Sequence, residues 1–353
     1  MSEKVLMKGN EAIAEAAIRC GCLHFFGYPI TPQTEVSAYM AKKMPKIGGV
    51  FLQAESEIAA INMVLGAAAT GKRVMTSSSS PGISLKAEGI SYIAGSDLPC
   101  VIMNIMRGGP GLGGIQPSQA DYYQATKGLA HGDFNLIVLA PNSVQEMVDV
   151  VQKAFDLSDT YRVPAMILGD GVLGQMMEPV VFDGNIKPAG VKKDWAATGT
   201  GGKRPTNVVN SLYLSPDVLE EKVRERFARY EIIKQKECMY EEFMTDDADV
   251  VVVAYGATSR ICKTAVRMAR EKGVKVGLLR PITLWPFPGK ALLELSKKAQ
   301  SFLCVEMSMG QMIDDVKLSI NCSRPVGFFG RTGGIIPTPS EILNAILDIG
   351  GKK

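Results

Sequence analysis

The chain has 353 residues, 46% of them hydrophobic, with a formal net charge of +3 and two histidines. That length carries two ordinary domains with sizeable cores, and charge spread along the whole chain excludes a dedicated nucleic-acid surface. The longest apolar run, around residues 58–69, is too short and too alanine-rich to span a bilayer, and no secretory signal precedes the first amphipathic segment, so a cytoplasmic location is expected.

Residues 1–182 alternate helix-like and strand-like segments. "EAIAEAAIRCG" reads as an amphipathic helix stopped by Gly21, and "CLHFFGYP" as a strand running into a loop. "TPQTEVSAYMAKKM" reads as a helix with Thr31 as N-cap and Pro32 at the first helical position. "GGVFLQ" is a short strand. The helix "ESEIAAINMVLGAAATG" follows, apolar almost all round but opened by Glu55 and Glu57. "RVMTSSSS", "PCVIMNIM", "NLIVLAP" and "VPAMILGD" are further strands, separated by the helices "ISLKAEGISYIAG" and "SVQEMVDVVQKAFDLS" and by the glycine-rich loop "RGGPGLGGIQPSQ". Continuously apolar strands in a βαβα rhythm predict a parallel sheet with helices on both faces. Residues 183–244 read as an irregular connector followed by a charged surface helix, "PDVLEEKVRERFARYEIIKQKE". A second, smaller α/β unit is expected over 245–353, with strands at "ADVVVVAYG", "KVGLLRP", "SFLCVEM" and "PVGFFGR".

Several motifs invite chemistry that their context denies. "GAAATGKR" misses the phosphate-loop pattern, because Arg73 replaces the hydroxyl residue and the segment leaves a helix for a strand instead of the reverse. "LGDGVLG" resembles the start of a magnesium–diphosphate motif, G-D-G…N, but Asn185 follows too soon and Asn207 falls in the connector. Asp170 is therefore read as a turn residue. "TSSSSPG" lacks the G-x-S-x-G context of a nucleophilic serine. The seven cysteines are scattered, with C-G-C at Cys20 and Cys22 as the closest pair. They read as small buried hydrophobes, not as a disulfide framework or metal set, and no metal ligand is assigned in this chain.

Three residues stand out. Glu57 shares a helical face with Ala60, Ile61, Val64 and Ala68, a small-residue face that a flat ligand or a partner backbone can approach. Glu55 falls on a more polar row. Thr31 and Arg107 each follow the end of a predicted parallel strand, where ligands of such sheets lie. A guanidinium there suits a carboxylate.

"GNEAIAEAAI", "GYPITPQTE", "QAESEIAAINMVLGAAATGKRVMTSSSSPGISLKAEGI", "RGGPGLGGIQPSQAD" and, near the end, "GRTGGIIPTPSEI" together resemble the α subunit of the 2-oxoacid:ferredoxin oxidoreductases over nearly the whole chain. The resemblance implies that 1–182 is the pyrimidine-binding domain of a thiamine diphosphate enzyme. It implies that 245–353 resembles the transketolase C-terminal domain. Mg2+ with the diphosphate-binding domain would lie on a β subunit, and 4Fe–4S clusters on partners, with γ and ferredoxin-like δ subunits completing the complex. By the same resemblance Glu57 bonds N1′ of the cofactor's aminopyrimidine as the catalytic carboxyl, Thr31 contacts substrate and Arg107 binds its carboxylate. A 2-oxoacid would be decarboxylated, coenzyme A would take the acyl group and ferredoxin the electrons. Within the family the overall match leans to the branched-chain (2-oxoisovalerate) members. The 2-oxoglutarate members, or a non-catalytic structural subunit, are the alternatives. Ser80 departs from the family pattern, where glycine is common.

Overall fold

A computed structural model describes residues 4–182 and 190–351. The first residues of the expected connector, 183–189 with Asn185 among them, lie outside the described residues. β1 (Lys4–Lys8), α1 (Gly9–Arg19), β2 (His24–Gly27), α2 (Thr34–Lys43), β3 (Val50–Gln53), α3 (Glu57–Ala69), β4 (Val74–Ser78), α4 (Ser80–Gly95) and β5 (Val101–Met106) follow one another. Then come α5 (Tyr122–Thr126), β6 (Ile137–Leu139), α6 (Val144–Tyr161), β7 (Ala165–Asp170), α7 (Gly171–Gln175) and β8 (Met177–Val181). The rest comprises α8 (Pro216–Lys236), β9 (Tyr240–Phe243), β10 (Val250–Val253), α9 (Gly256–Glu271), β11 (Val276–Pro281), β12 (Thr283–Trp285), α10 (Gly289–Ser296), β13 (Ser301–Glu306), α11 (Met312–Ser319), β14 (Val326–Gly330) and α12 (Pro339–Ile349).

The larger sheet has seven strands in the order β12-β6-β7-β5-β4-β2-β3. All its pairings are parallel except that of β12, which joins β6 antiparallel. Alternate residues of β5 point to opposite faces, as the pleat requires. Met103 and Ile105 pack with Ala12, Ile13 and Val151 of α1 and α6. Ile102 and Met106 pack with Ile61, Val64 and Ile90 of α3 and α4. Both faces are therefore apolar, which is why the strands read as unbroken hydrophobic runs. The smaller sheet runs β14-β13-β10-β11-β9, parallel apart from β9. A third ladder, β1 with β8, is antiparallel.

The expected α/β class is found, with additions that local sequence did not disclose. β12 leaves the smaller unit to edge the larger sheet, and β9 precedes the expected start at 245. α8 lies outside as expected, but Arg226, Tyr230 and Ile233 are buried on its inner side. Tyr230 stacks edge-on against Trp285.

Two helix starts differ from expectation. Thr31 does not cap α2, which begins at Thr34 with Gln33 at the N-cap position. Gln33 is fully buried; its amide donates to Tyr28 O at 3.2 Å and its Oε1 accepts from Ser77 Oγ at 2.5 Å. This anchoring to β4 holds residues 28–33 as a loop. α3 starts at Glu57, not Glu55, because Ser56 is its N-cap and accepts from Ala59 N at 3.2 Å. Glu55 is left exposed outside the helix.

Candidate active site

The carboxyl ends of β2, β4 and β5 converge around the first turn of α4. Thr31 follows β2, Ser78 ends β4, Arg107 follows β5, and Glu57 opens the neighbouring α3. The fold thus brings all three sequence-predicted residues to one end of the sheet.

α3 and α4 approach closely because glycines stand at their contacts. A methyl group added at Gly89 would lie 2.4 Å from Ile61 Cγ2. One added at Gly82 would lie 2.1 Å from Ser78 Oγ and 2.8 Å from Glu57 Oε1. Glu57 is 5% exposed, and its carboxyl has no hydrogen bond to any other described residue. On the adjoining β4 and α4, Thr76 Oγ1, Ser78 Oγ, Ser79 Oγ and Lys86 Nζ are buried without a partner among the described residues. Buried polar atoms are usually satisfied, so this concentration of orphans sets the place apart from the rest of the core. Gly82→Ala is expected to lower stability by about 1–3 kcal/mol through overpacking against the Glu57 carboxyl, read as a lowered denaturation midpoint of the purified protein.

Arg107 is 9% exposed. Its Nη1 donates to Thr31 O at 3.0 Å and its Nη2 to Leu112 O at 3.2 Å. These bonds tie the β2 loop to the glycine loop and fix the guanidinium plane. Nε remains buried without a partner among the described residues. The glycine loop is itself closed by Gly108 N to Gln116 O at 2.9 Å and Gly114 N to Gly108 O at 2.9 Å. Gly113, at φ +53°, lies so near Gly108 O that a methyl would stand 1.9 Å away, so no other residue fits there. Thr31 is exposed, leaving its hydroxyl at the mouth of the site.

Ser80 takes a positive φ of 20°. Its hydroxyl donates to Asp121 Oδ2 at 2.6 Å and accepts from Arg107 N at 3.0 Å. Asn104 Oδ1 accepts from Ser80 N at 3.1 Å, and its amide donates to Asp121 at 3.0 Å. Burial pushes the Asp121 carboxyl above its usual range, against the pull of the Ser80 and Asn104 bonds. This junction fixes where Arg107 leaves β5. The sequence held one signal for it, an asparagine inside the apolar strand "VIMNIM". Lys86 also carried a signal, since it sits at core spacing between Gly82, Ile83, Gly89 and Ile90.

The discarded motifs have structural uses. Asp170 is buried and caps α7, accepting from Val172 N at 2.9 Å and Leu173 N at 3.2 Å. Burial raises its pKa to about 6. Arg73, of the phosphate-loop near miss, is buried; its Nε donates to Asp159 at 2.8 Å and its Nη1 to Cys20 O at 2.7 Å. Burial lifts the thiols of Cys20, Cys22 and Cys100 to about 12, which makes them poor ligands and nucleophiles at neutral pH. Among the described residues no group of three or more His, Cys, Asp or Glu side chains is placed to hold a metal ion, and no helix is long and apolar enough to cross a membrane.

None of Thr31, Glu57 or Arg107 lines the cleft of about 570 Å³ beside Trp285, Cys238 and Lys127. On the segments that carry or adjoin them, Ile58, Leu85, Leu112 and Ile115 are each more than half exposed. The smaller unit supports this end from behind. Gln119 Nε2 donates to Tyr255 O at 2.9 Å, and its Oε1 accepts from Thr258 Oγ1 at 2.7 Å and Met307 N at 3.0 Å.

Residues 15–235 match the family model of pyruvate flavodoxin/ferredoxin oxidoreductase, thiamine diphosphate-binding, and residues 248–342 match pyruvate:ferredoxin oxidoreductase core domain II. The ketoisovalerate oxidoreductase subunit VorB of Methanothermobacter marburgensis is 49% identical over 98% of both chains. The 2-oxoglutarate synthase subunit KorA of Methanothermobacter thermautotrophicus is 38% identical over 98% of this chain and 99% of its own. Among solved structures, a 2-oxoglutarate:ferredoxin oxidoreductase from Magnetococcus marinus, with 2-oxoglutarate, coenzyme A and succinyl-CoA bound, has a TM-score of 0.83 at 28% identity, covering 99% of this chain and 66% of that one. A split-gene transketolase, an inactive beta4 tetramer, shares the fold at a TM-score of 0.61 and 15% identity, over 98% of this chain and 99% of that one.

Proposed function

The chain belongs to the 2-oxoacid:ferredoxin oxidoreductase family, and from that premise we propose that it is the α subunit that binds the aminopyrimidine end of thiamine diphosphate, in a complex acting on a branched-chain 2-oxoacid. The observation that carries this reading is the buried Glu57, whose carboxyl has no hydrogen bond among the described residues, beside a cluster of orphaned polar atoms. A carboxyl so placed fits a heteroaromatic ring nitrogen. Residues 1–182 would form the pyrimidine-binding domain, 183–244 the connector and surface helix, and 245–353 the transketolase C-terminal-like domain.

Thiamine diphosphate, when bound, supplies the nucleophilic carbon and the electron sink for decarboxylation. Glu57 would hold and share a proton at the ring nitrogen N1′, and the neighbouring amino group would then be available as a base. Arg107 would meet the substrate carboxylate with a charge-assisted hydrogen bond from its guanidinium, whose Nε is buried and has no partner among the described residues. Its two Nη bonds hold that nitrogen in place, so little ordering remains to be done on binding. The Thr31 hydroxyl, beside the carbonyl that Arg107 grips, contacts the substrate at the mouth. The Asp170 carboxylate is occupied in capping α7, so this chain offers no fit for Mg2+ at the G-D-G segment. The exposed apolar rim fits coverage by a β subunit carrying the diphosphate and its Mg2+. Oxidation by 4Fe–4S clusters would take place on γ and δ partners, with coenzyme A and ferredoxin as acyl and electron acceptors, in the cytoplasm.

The branched-chain preference rests on the 49% identity to the VorB subunit, against 38% to the KorA subunit. The test is coenzyme A-dependent reduction of ferredoxin or a viologen dye by the co-purified complex. We expect a higher kcat/KM for 2-oxoisovalerate than for 2-oxoglutarate. The reverse order would make it a 2-oxoglutarate enzyme. No reduction with any 2-oxoacid would leave the chain a structural subunit.

A further inference from the structure

Lys86 is fully buried in the seam between α3 and α4, and its Nζ has no hydrogen-bond partner among the described residues. A lone buried ammonium is disfavoured unless something compensates it. Lys86 lies one helical turn beyond Gly82, on the same face of α4. Side chains on a helix lean toward its N-terminus, so Lys86 leans toward the turn where Gly82 meets the Glu57 carboxyl. Glu57 is the charged group that acts on it, favouring the ammonium, while burial pulls the amine down to about 8. The other charged groups at the start of α4 are Asp121, which accepts from the Ser80 hydroxyl, and Arg107, whose backbone N–H donates to that hydroxyl; Thr76, Ser78 and Ser79 carry no charge. The two groups are not an ion pair within 4 Å, so each keeps its hydrogen-bonding capacity for a third party.

We propose that Lys86 is a positioning residue for the cofactor carboxyl: its buried ammonium, across the gap left by Gly82, is the counter-charge that holds the Glu57 side chain in place before the aminopyrimidine arrives. This rests on the assignment of Glu57 to the cofactor. It adds a dependence that Glu57 alone does not create. When Lys86 loses its proton above about pH 8, Glu57 loses its compensation and cofactor binding weakens.

The test measures the affinity of the cofactor-free complex for thiamine diphosphate by isothermal titration calorimetry between pH 6.5 and 9.5. For Lys86→Met we expect unchanged assembly, a melting temperature at or above that of the wild type, and a Kd raised about 10-fold at neutral pH. The wild-type Kd should rise above about pH 8, and that rise should be absent in both Lys86→Met and Glu57→Gln. Adding Lys86→Met to Glu57→Gln should change Kd less than about twofold, because the lysine then has no charge to position. A Kd for Lys86→Met equal to the wild type, or an equal loss in both backgrounds, overturns the proposal. If the methionine variant fails to assemble, the wild type against Glu57→Gln decides alone, and a flat wild-type profile through pH 9 overturns it. A Glu57→Gln variant with wild-type affinity overturns the Glu57 assignment as well, whereas a loss in Glu57→Gln without one in Lys86→Met removes the lysine role only.

Discussion

Glu57→Gln should lower 2-oxoacid-dependent ferredoxin reduction by the assembled complex about 10²- to 10⁴-fold, the range that a positioned acid–base group contributes, while the subunits still assemble. The physical reason is the difference between a carboxyl and an amide of the same shape. Glutamine fills the space beside Gly82 and keeps an oxygen and a nitrogen in hydrogen-bonding reach. It cannot give up and retake a proton at the ring nitrogen, so the cofactor's amino group is no longer made available as a base. Because the Glu57 side chain has no hydrogen bond to another described residue, the substitution breaks no side-chain network, and the loss should fall on turnover. The comparison to make is single-turnover decarboxylation beside subunit stoichiometry. Unchanged turnover in a stoichiometric complex would sink the catalytic assignment.

Arg107→Ala should reduce kcat/KM for the oxoacid by about 10²-fold or more, since truncating one side of a buried charged pair costs about 2–5 kcal/mol. Two effects contribute. The substrate carboxylate loses its donor, and Thr31 O and Leu112 O lose the bonds that tie the two loops. Arg107→Lys separates them. It keeps the charge but not the planar fork, so a lysine variant that recovers much of the activity points to charge, and one as poor as alanine points to the fixed geometry. The readout is steady-state kinetics over a range of oxoacid concentrations. A KM and kcat both equal to those of the wild type would remove Arg107 from the substrate site.

The Glu57 face could be read from the sequence because helical spacing alone puts a carboxylate on an alanine row. The strand ends carrying Thr31 and Arg107 were legible for a similar reason, since loops following parallel strands are marked by composition. The environment of those residues was not legible. Ser80 sits 27 positions from Arg107 and 41 from Asp121 in the chain, and nothing local records that the hydroxyl joins them. Thr31 was misplaced as a helix cap because the deciding contact, Gln33 to Ser77, spans 44 positions.

By itself the sequence determined the two α/β units, the parallel strands, the buried Glu57 face and the failure of the phosphate-loop and G-D-G segments. These depend on periodicity, caps and residue type within a few turns of chain, which neighbouring residues specify. Only the tertiary structure decided that β12 crosses to the larger sheet and that Arg107 is clamped between two loops. It also decided that Asp170 is spent on a cap and that buried Lys86 has no hydrogen-bond partner among the described residues. Each of these follows from the strand order of the sheet, which sets what lies beside a residue far along the chain, and that order is fixed by packing the whole core, not by any one segment.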